Sequence, residues 1–361
     1  MKKVFLMMAI AATLFSYSKS EKISDNQAKK AKNVILLIGD GMGVTQIYAA
    51  MTVSDKPLNF ERFKHIGFHK TYSASDYVTD SGAGGTALST GTKTKNHYIS
   101  VDSEQKPLKT ILEYAEENSL STGLVSTSAI NHATPAAFIA HDTSRYNYEN
   151  IARDFLDVDI DLFIGGGKKF FTEREDSLNL IDSLKKNQYH VIDGIENLDT
   201  ETEGKFAVFT AEKHNPTMND GRGDMLPVST EKAIKVLNKN KNGFFLMVEG
   251  SQIDWGGHDN DIDYVVSETL DFDNAIAKAL EFAIEDGETL VIVTADHETG
   301  GLTIVDGDLK TKAMETKFTT DNHSAVMVPV FAFGPGAEDF MGIYENTDVF
   351  EKMMKALGLK K

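Results

Sequence analysis

Short runs of apolar and β-branched residues alternate with helix-like segments along almost the whole of this 361-residue chain. This alternation is typical of a mostly parallel sheet that carries helices on both of its faces. We therefore predict an α/β fold, a three-layer α/β/α sandwich with a mostly parallel central sheet. The predicted strands are 34–38, 123–126, 162–165, 206–210, 244–248, 289–294 and 328–333, and the predicted helices are 108–118, 177–186, 230–238, 264–283 and 349–357.

The N-terminus has the pattern of a secretory signal. Two lysines precede an apolar run over residues 4–17, which is short for a bilayer span, and serines near its end offer cleavage positions. The alternative is an N-terminal membrane anchor. We predict a signal peptide over 1–20 and a single domain over 21–361, with 146–243 as a long insert that can bear a lid. The protein would then be periplasmic or secreted, without stable membrane insertion after processing.

The balance of charges limits the partners of the chain. It has 37 basic and 54 acidic residues, and loss of the three lysines in the leader would leave 34 basic residues. Such a surface repels nucleic acid and anionic membranes, so we expect no nucleic-acid binding. An anionic substrate would need a local positive charge, for instance from metal ions. The chain has no cysteine, which excludes disulfides and lipid attachment through cysteine.

Polar residues that can bind metals follow several of the predicted strands. Asp40 follows the first strand, Glu249 follows the fifth, and Asp296 with His297 follows the sixth. In open α/β sheets, binding sites form in the crevice beyond the carboxyl ends of the strands. We therefore expect these distant positions to converge on one edge of the sheet.

The segment 78–87 presents a serine in a glycine-rich setting. Ser81 follows an acid and precedes small residues, as a nucleophile at a helix N-terminus would, where free N–H groups attract an anion. Glycines there let a bulky oxyanion approach the backbone. The alternative for this segment alone is a serine that caps the helix after a flexible turn.

Two further segments combine carboxylates with imidazoles. Asp254 and His258 are four residues apart, so a helical turn would place them on one face, although a loop or a charged turn is an alternative because two glycines intervene. Asp296 and His297 leave a predicted buried strand together, as two metal ligands would. His323 precedes the last predicted strand and is ambiguous by itself.

Hydroxyl and guanidinium groups follow the second predicted strand. Thr134 lies in a segment with His132, and Arg145 comes eleven residues later. Arginine binds a tetrahedral oxyanion through two parallel hydrogen bonds, whereas a solvated arginine is the alternative. Asp40, in a glycine turn, could bridge two ions or simply shape that turn.

Taken together, these motifs resemble the alkaline phosphatase family, and the resemblance extends from residue 33 through the C-terminal strand and helix. Five motifs occur in the order that the family has: Asp40 in its glycine turn, Asp80-Ser81, Thr134 with Arg145, Glu249 through His258, and Asp296-His297 followed by His323.

The resemblance implies two zinc ions and a third, magnesium site. It assigns Asp254, His258 and His323 to the first zinc, Asp40, Asp296 and His297 to the second, and Asp40, Thr134 and Glu249 to magnesium. Ser81 would attack phosphorus to give a phosphoserine intermediate, which water hydrolyses to release inorganic phosphate. Arg145 would hold the non-bridging oxygens. The implied substrates are small phosphate monoesters.

Two other functions stay open on the same residues. A relative on this scaffold could act on phosphodiesters or sulfate esters, although such sulfatases need a modified Cys or Ser in a different local sequence. Diesterases of this kind often use threonine where this chain has Ser81. A non-catalytic phosphate- or metal-binding protein is the third alternative.

The chain departs from the family pattern at two positions near the site. His132 stands where some members carry aspartate, and imidazole suits zinc or other transition metals better than magnesium. Trp255 stands where others carry lysine or histidine, and it could border the phosphate pocket or pack against the metal loop.

Two further expectations concern size and surface. The segment 298–322 leaves little room for the crown-like insertion that contributes to dimers in many members, so a monomer and a homodimer both stay open.

Four histidines in charged surroundings are predicted to lie on the surface, and two nearer the motifs could face substrate: His65, His69, His190 and His214 in the first set, His97 and His141 in the second.

Overall fold

The computed structural model describes residues 30–361. Its fourteen strands in this part of the chain are β1 (Asn33–Gly39), β2 (His65–Lys70), β3 (Ser121–Ala129), β4 (Leu162–Gly166), β5 (Tyr189–Asp193), β6 (Lys205–Phe209), β7 (Phe244–Gly250), β8 (Thr289–Thr294), β9 (Glu298–Thr299), β10 (Thr303–Asp308), β11 (Ala313–Lys317), β12 (His323–Ser324), β13 (Val328–Phe333) and β14 (Gly342–Glu345).

Ten of these strands form one sheet in the order β14-β2-β13-β8-β1-β7-β3-β4-β6-β5. Strand β13 runs antiparallel to both of its neighbours, β2 and β8, and the other pairs in this sheet are parallel. Strands β10 and β11 form a separate hairpin, and β9 pairs with β12. Since β1 and β7 lie at the centre, their carboxyl ends meet in the middle of one edge.

Helices connect these strands and cover the sheet. In the described residues they are α1 (Val44–Val53), α2 (Ser81–Thr90), α3 (Ile111–Glu117), α4 (Ala133–Ile139), α5 (Tyr148–Asp154), α6 (Lys169–Thr172), α7 (Leu180–Lys186), α8 (Met225–Leu237), α9 (Gln252–His258), α10 (Ile262–Asp286) and α11 (Asn346–Leu357).

The central strand β1 shows why the fold has three layers. Its side chains alternate between the two faces, so Leu36 lies in one apolar core and Leu37 in the other. Residues of α2, α3, α4 and α11 contribute to the first core, and residues of α1, α8, α9 and α10 contribute to the second. The predicted α/β/α sandwich with a mostly parallel sheet is therefore confirmed.

Helix α10 shows how local sequence sets the boundaries of an element. The side chain of Asp261 caps its N-terminus by accepting hydrogen bonds from the N–H groups of Asp263 and Tyr264. The helix ends at Gly287, whose φ of 69° lies in the left-handed region that favours glycine. An apolar stripe that includes Phe272 packs on the sheet between these two ends.

All seven predicted strands occur, and the bounds predicted for β8 and β13 are those of the structure. Helix α8 begins at Met225, five residues before the predicted start, because Pro227 is compatible with the first turn of a helix. Strands β2, β5 and β14 of the central sheet escape prediction from the sequence because they are short or carry many polar residues.

Residues 146–243 contribute three strands, β4, β5 and β6, to the central sheet. The lid expected in this region stays a prediction, as does the assignment of 21–361 to a single domain. The segment 298–322 holds the exposed hairpin β10–β11. The predicted signal peptide lies outside the described residues. Within residues 30–361, none of the helices combines the length and apolar character needed to cross a membrane.

Candidate active site and metal centre

The carboxyl ends of three neighbouring strands bring acidic side chains together. Ile38 of β1 lies beside Glu249 of β7 on one side and Thr294 of β8 on the other. Asp40 comes directly after β1, and Asp296 is the second residue after β8. The three carboxylates are fully buried, so the predicted convergence on one sheet edge produces an internal acidic group.

Ser81 is the first residue of α2 and lies next to this group. Asp80, rather than Ser81, caps the helix, because its carboxylate accepts a hydrogen bond of 3.0 Å from the N–H of Ala83. The Ser81 hydroxyl is therefore not used as the cap. Its Oγ lies 3.2 Å from Nε2 of His297, and the side chain is buried.

A glycine in α2 makes this close approach feasible. A Cβ atom at Gly84 would lie 3.0 Å from Cβ of Asp296, which is tighter than ordinary van der Waals contact. The glycine-rich sequence of the helix therefore lets α2 pack directly on the segment that carries Asp296 and His297. A side chain at this position would require α2 or the Asp296 segment to shift by a few tenths of an ångström.

A first candidate metal group consists of Asp254, His258 and His323. Asp254 and His258 lie on helix α9, which resolves the choice between helix and loop in favour of the helix. Nε2 of His258 lies 3.4 Å from Asp254 Oδ2 and 3.2 Å from Nε2 of His323. Nδ1 of each imidazole lies near a backbone oxygen, at 2.7 Å for Asp321 and 2.8 Å for Thr79. These contacts orient both rings as the outer contacts of metal-binding histidines do.

A second candidate group lies deeper, around His297. Nε2 of this residue is 3.4 Å from Asp40 Oδ1 and 3.3 Å from Asp296 Oδ2. Asp254 is close enough to share a cation with Asp40 and His297. The Thr299 hydroxyl lies 3.2 Å from Nδ1 of His297 and hydrogen-bonds Asp254, so it links the two groups. Sequence reasoning missed Thr299, although it stands within the Asp296-His297 motif.

Thr134 and Glu249 lie on the other side of Asp40. The Thr134 hydroxyl is 3.4 Å from Asp40 Oδ2. Ser126, on β3, donates a hydrogen bond of 2.6 Å to one oxygen of Glu249. The Thr134 hydroxyl also lies close enough to Glu249 to lower the pKa of that carboxyl, so two carboxylates and a hydroxyl form an oxygen-rich donor set suited to a hard cation.

Several polar atoms of this edge have no hydrogen-bond partner in the described structure. These atoms are Asp40 Oδ1, Glu249 Oε1, Asp296 Oδ2 and His132 Nδ1, and all of them are buried. Buried polar atoms without partners cost free energy, so their concentration at one place calls for an explanation. Bound cations coordinated by these atoms would satisfy them, and the donor chemistry fits such ions.

The raised pKa values of the buried acids also favour bound cations at this edge. Burial and the repulsion from neighbouring carboxylates raise the pKa of Asp40 well above its ordinary value. The same causes raise the pKa of Asp296 to about 7, and burial raises the pKa of Glu249. Without an added positive charge, these acids compete with one another for ionisation.

The histidines divide into two kinds. The hydrogen bond to Asp254, against the effect of burial, raises the pKa of His258 to about 9. Burial, together with the neighbouring His323, holds the pKa of His297 well below its ordinary value. His297 is therefore neutral at physiological pH, as a metal ligand must be, whereas a cation bound beside Asp254 would have to displace the proton of His258.

Arg145 lies in the mouth of the site. Its guanidinium donates a hydrogen bond of 2.9 Å to Asp80 Oδ2, and this charge, against the effect of burial, lowers the pKa of Asp80. Arg145 and Ser81 line the same cavity of about 480 Å³, together with the first metal group. The arginine is thus held beside the serine by the residue that caps its helix.

His132 and Trp255 belong to a cluster of rings on the same cavity. The Trp255 ring meets His132 edge to face at 6.1 Å between centroids, and it meets His214 at 4.9 Å. Trp255 therefore both borders the cavity and packs against its neighbours. His214 accepts a hydrogen bond of 3.0 Å from the N–H of Ala129 and is half-buried, so it keeps part of the surface position predicted for it.

Three further histidines differ in their burial and in their contacts. His69 is fully buried, with Nε2 3.0 Å from the carbonyl oxygen of Ala295, which corrects its prediction as a surface residue. His97 lines the cavity, as expected for a residue that faces substrate. His141 contacts the Ser100 carbonyl and Glu113 and is not among the residues that line this cavity.

Comparisons with known proteins agree with this arrangement. The family model described as alkaline phosphatase matches residues 31–316 and 305–359. Alkaline phosphatase 3 of Bacillus subtilis is 38% identical to this chain, over 94% of this chain and 92% of its own length.

Solved structures give the same result. Alkaline phosphatase from the Antarctic bacterium TAB5 is 45% identical, with a TM-score of 0.89 over 93% of this chain and 100% of that one. A mutant of the TAB5 enzyme, in which a histidine is replaced by aspartate, was solved with Mg bound in its M3 site; it is 44% identical, with a TM-score of 0.89 over the same shares of the two chains. This chain therefore belongs to the alkaline phosphatase family, and it is a phosphomonoesterase.

Proposed function

We propose that this protein hydrolyses phosphate monoesters through a phosphoserine intermediate on Ser81 and releases inorganic phosphate. The observation that carries this proposal is the position of the Ser81 hydroxyl. It is buried at the start of α2, is not used as the helix cap, and lies 3.2 Å from His297 Nε2 at the edge of the acidic group. The names of the relatives support the substrate class.

Two zinc ions and a third ion would be held by the three donor groups. Asp254, His258 and His323 would hold the first zinc, Asp40, Asp296 and His297 the second, and Asp40, Thr134 and Glu249 the third ion. When bound, such ions supply positive charge that favours ionised serine and water and stabilises the leaving oxygen. The unpartnered carboxylate oxygens and the raised pKa values support this assignment.

We propose magnesium or zinc for the third site, with His132 deciding between them. Magnesium in the TAB5 mutant supports a third ion in the family. The unpartnered Nδ1 of His132 offers an imidazole donor, which favours a transition metal over magnesium. Trp255 would border the phosphate without adding charge.

In the first chemical step, Ser81 Oγ would attack phosphorus in line with the bond to the leaving oxygen. A new Oγ–P bond forms as the P–O bond to the leaving group breaks, and the proton that Oγ gives up ends on the leaving oxygen. Arg145 would donate to two non-bridging oxygens. The N–H of Gly82, which lies in the first turn of α2 and therefore has no intrahelical acceptor, would serve them as well. In the second step, water attacks phosphorus, the Oγ–P bond breaks, and Ser81 recovers its proton.

A diesterase, a sulfatase and a non-catalytic binder are the competing functions. The presence of Ser81, Arg145 and all the expected ligands at one edge favours catalysis over binding alone. Rates on an aryl monophosphate, a phosphate diester and an aryl sulfate would separate the catalytic alternatives. We expect the monophosphate rate to dominate, and a dominant diesterase rate would overturn the proposed substrate class.

Ser81→Ala tests the intermediate directly. We expect its turnover of an aryl monophosphate to fall about a thousandfold or more, because the nucleophile is removed. Ser89→Ala is the matched control, since Ser89 is also buried in α2 but lies two turns away. Mass spectrometry of acid-quenched wild type should show a phosphate on Ser81. Unchanged turnover in Ser81→Ala would mean that the phosphoserine route is wrong.

The proposed setting is periplasmic or secreted, in line with the predicted signal peptide. The substrates would be small phosphate monoesters, and both a monomer and a homodimer are compatible with the short segment 298–322. N-terminal sequencing of the processed protein would test the location.

A further inference from the structure

Two aromatic side chains at the mouth of the cavity are not used by the proposed reaction. His97 and Tyr146 line the same cavity of about 480 Å³ as Ser81 and Arg145. Their ring centroids are 5.5 Å apart, and the ring planes are inclined by 39°. Tyr146 directly follows Arg145, so the aromatic pair is attached to the residue that would bind the phosphate.

The position of His97 is fixed by the catalytic residues themselves. Its N–H donates a hydrogen bond of 3.1 Å to Asp80 Oδ1, and its carbonyl accepts one of 2.7 Å from the N–H of Arg145. The φ of His97 is 72°, in the left-handed region that is unfavourable for residues with a side chain. Strain of this kind persists where the surroundings impose it and is concentrated at functional sites.

Tyr146 is unusually free for an aromatic residue at such a place. It is 62% exposed, and among the described residues His97 is the one ring that contacts it. Tyr148, two residues later, differs because its ring stacks on both His132 and Phe170. Tyr148 is thus committed to the ring cluster, whereas Tyr146 keeps a face open to the cavity mouth.

We propose that His97 and Tyr146 form a subsite that binds a flat aromatic leaving group of the substrate. This inference rests on the proposed function, because a phosphate held by Ser81 and Arg145 would leave its substituent at the mouth of the cavity. Aromatic rings attract one another in offset or edge-to-face arrangements, which an alkyl group cannot match. Aryl monophosphates would therefore be bound better than alkyl monophosphates of similar charge.

Inhibition by phosphonates measures this preference as binding alone, because the inhibitors are not hydrolysed. Phenylphosphonate and methylphosphonate carry the same oxyanion, and neither has an ester bond to cleave. We expect wild type to bind phenylphosphonate about three- to tenfold more tightly than methylphosphonate. Tyr146→Ala should abolish this ratio, and Tyr146→Phe should keep it. Inorganic phosphate should inhibit all three proteins equally.

His97→Gly separates binding from folding. Glycine tolerates a φ of 72°, and this relief of strain offsets the loss of the 3.3 Å contact between His97 Nδ1 and Asp80 Oδ2, so we expect the variant to stay folded while its preference for phenylphosphonate falls. Tyr48→Ala is the control, since Tyr48 is also exposed, at 59%, but lies on α1 and does not line the cavity. It should leave all three inhibition constants unchanged.

The outcomes distinguish failure of the aromatic subsite from failure of the proposed function. Equal binding of the two phosphonates by wild type, or a preference that survives in Tyr146→Ala, would overturn the subsite while inorganic phosphate still inhibits. Absence of inhibition by inorganic phosphate would overturn the proposed function, and the subsite with it.

Discussion

One group of acidic side chains beside Arg222 and another at the carboxyl ends of β1, β7 and β8 are both buried, yet they differ in their partners. In the first, which we call the paired cluster, the Arg222 guanidinium binds both Glu268 and Asp271 of helix α10, and all three side chains are almost completely inaccessible. The distance from Arg222 to Asp271 is 2.9 Å. Its negative charges therefore have a cation that the chain provides.

The second group, the open cluster, consists of Asp40, Glu249 and Asp296. No lysine or arginine of residues 30–361 lies within ion-pair distance of these three carboxylates. The residue that does approach Asp40 and Asp296 is His297, whose pKa is held far below its ordinary value. The open cluster therefore lacks a charged partner of its own.

The difference separates charges that the fold itself pairs from charges that the proposed metal ions would pair. A buried ion pair within the chain is complete as soon as the chain folds. An acidic group without an internal cation is costly by itself, but it creates a strong site for a divalent ion. An acidic protein can bind an anionic substrate when such ions turn the open cluster into a positive pocket.

Removal of the ions should have the largest effect on activity. We expect chelation to lower turnover of an aryl monophosphate about a thousandfold or more, because bound ions contribute several kcal/mol to the transition state. Zinc should restore most of the activity, and magnesium and cobalt should be compared for the third site. Turnover that chelation does not change, or that zinc does not restore, would contradict the assignment of the two zinc ions.

Arg222→Met should have the largest effect on stability. The substitution leaves Glu268 and Asp271 buried without a cation, which costs about 3 to 5 kcal/mol in the free energy of unfolding. Urea unfolding should show this loss equally in metal-loaded and metal-free protein, and turnover of the folded enzyme should not change. A loss confined to the metal-free form would mean that the two clusters are coupled.

A triple variant provides the control for this experiment. When Glu268→Leu and Asp271→Leu accompany Arg222→Met, no unpaired charge remains, so the loss should be clearly smaller than in the single variant. An equal loss would attribute the effect to packing around Arg222 rather than to its charge.

The open cluster could be predicted from the sequence because each part of it is local. Asp40 and Asp296 follow apolar runs that are long enough to be recognised as strands, and the geometry of a parallel sheet brings their ends together. The five motifs then occur in the order of a known family. This information does not depend on how distant side chains pack.

The contacts that complete the site could not be predicted, because they depend on tertiary packing. His214 stands between charged and polar neighbours in the sequence, yet it lies against Trp255 and accepts a hydrogen bond from β3. Arg222 stands in a glycine-rich loop segment, yet helix α10 buries it. Thr299 joins the two metal groups through residues 45 and 2 positions away.

The pH dependence of the stability of Asp296→Asn tests the difference between the open and the paired cluster. The pKa of Asp296 is about 7 in the folded protein, above its value in the unfolded chain, so the stability that it contributes is present below about pH 4 and lost as pH rises through 7. Asparagine does not ionise. In metal-free protein the variant should therefore gain stability over wild type as pH rises from 5 to 8, by about 2 kcal/mol.

With zinc bound, Asp296→Asn should instead be less stable than wild type. The ion takes the place of the proton, and asparagine is a poorer ligand than carboxylate. Urea unfolding at pH 5 and pH 8, with chelator and with zinc, measures both effects. Asp271→Asn is the matched control: burial raises its pKa to about 6, but Arg222 is its partner, so zinc should not alter the effect of this substitution. If Asp296→Asn destabilised the metal-free protein at pH 8, the carboxylate of Asp296 would already have a positively charged partner within the chain, and the distinction between the open and the paired cluster would fail.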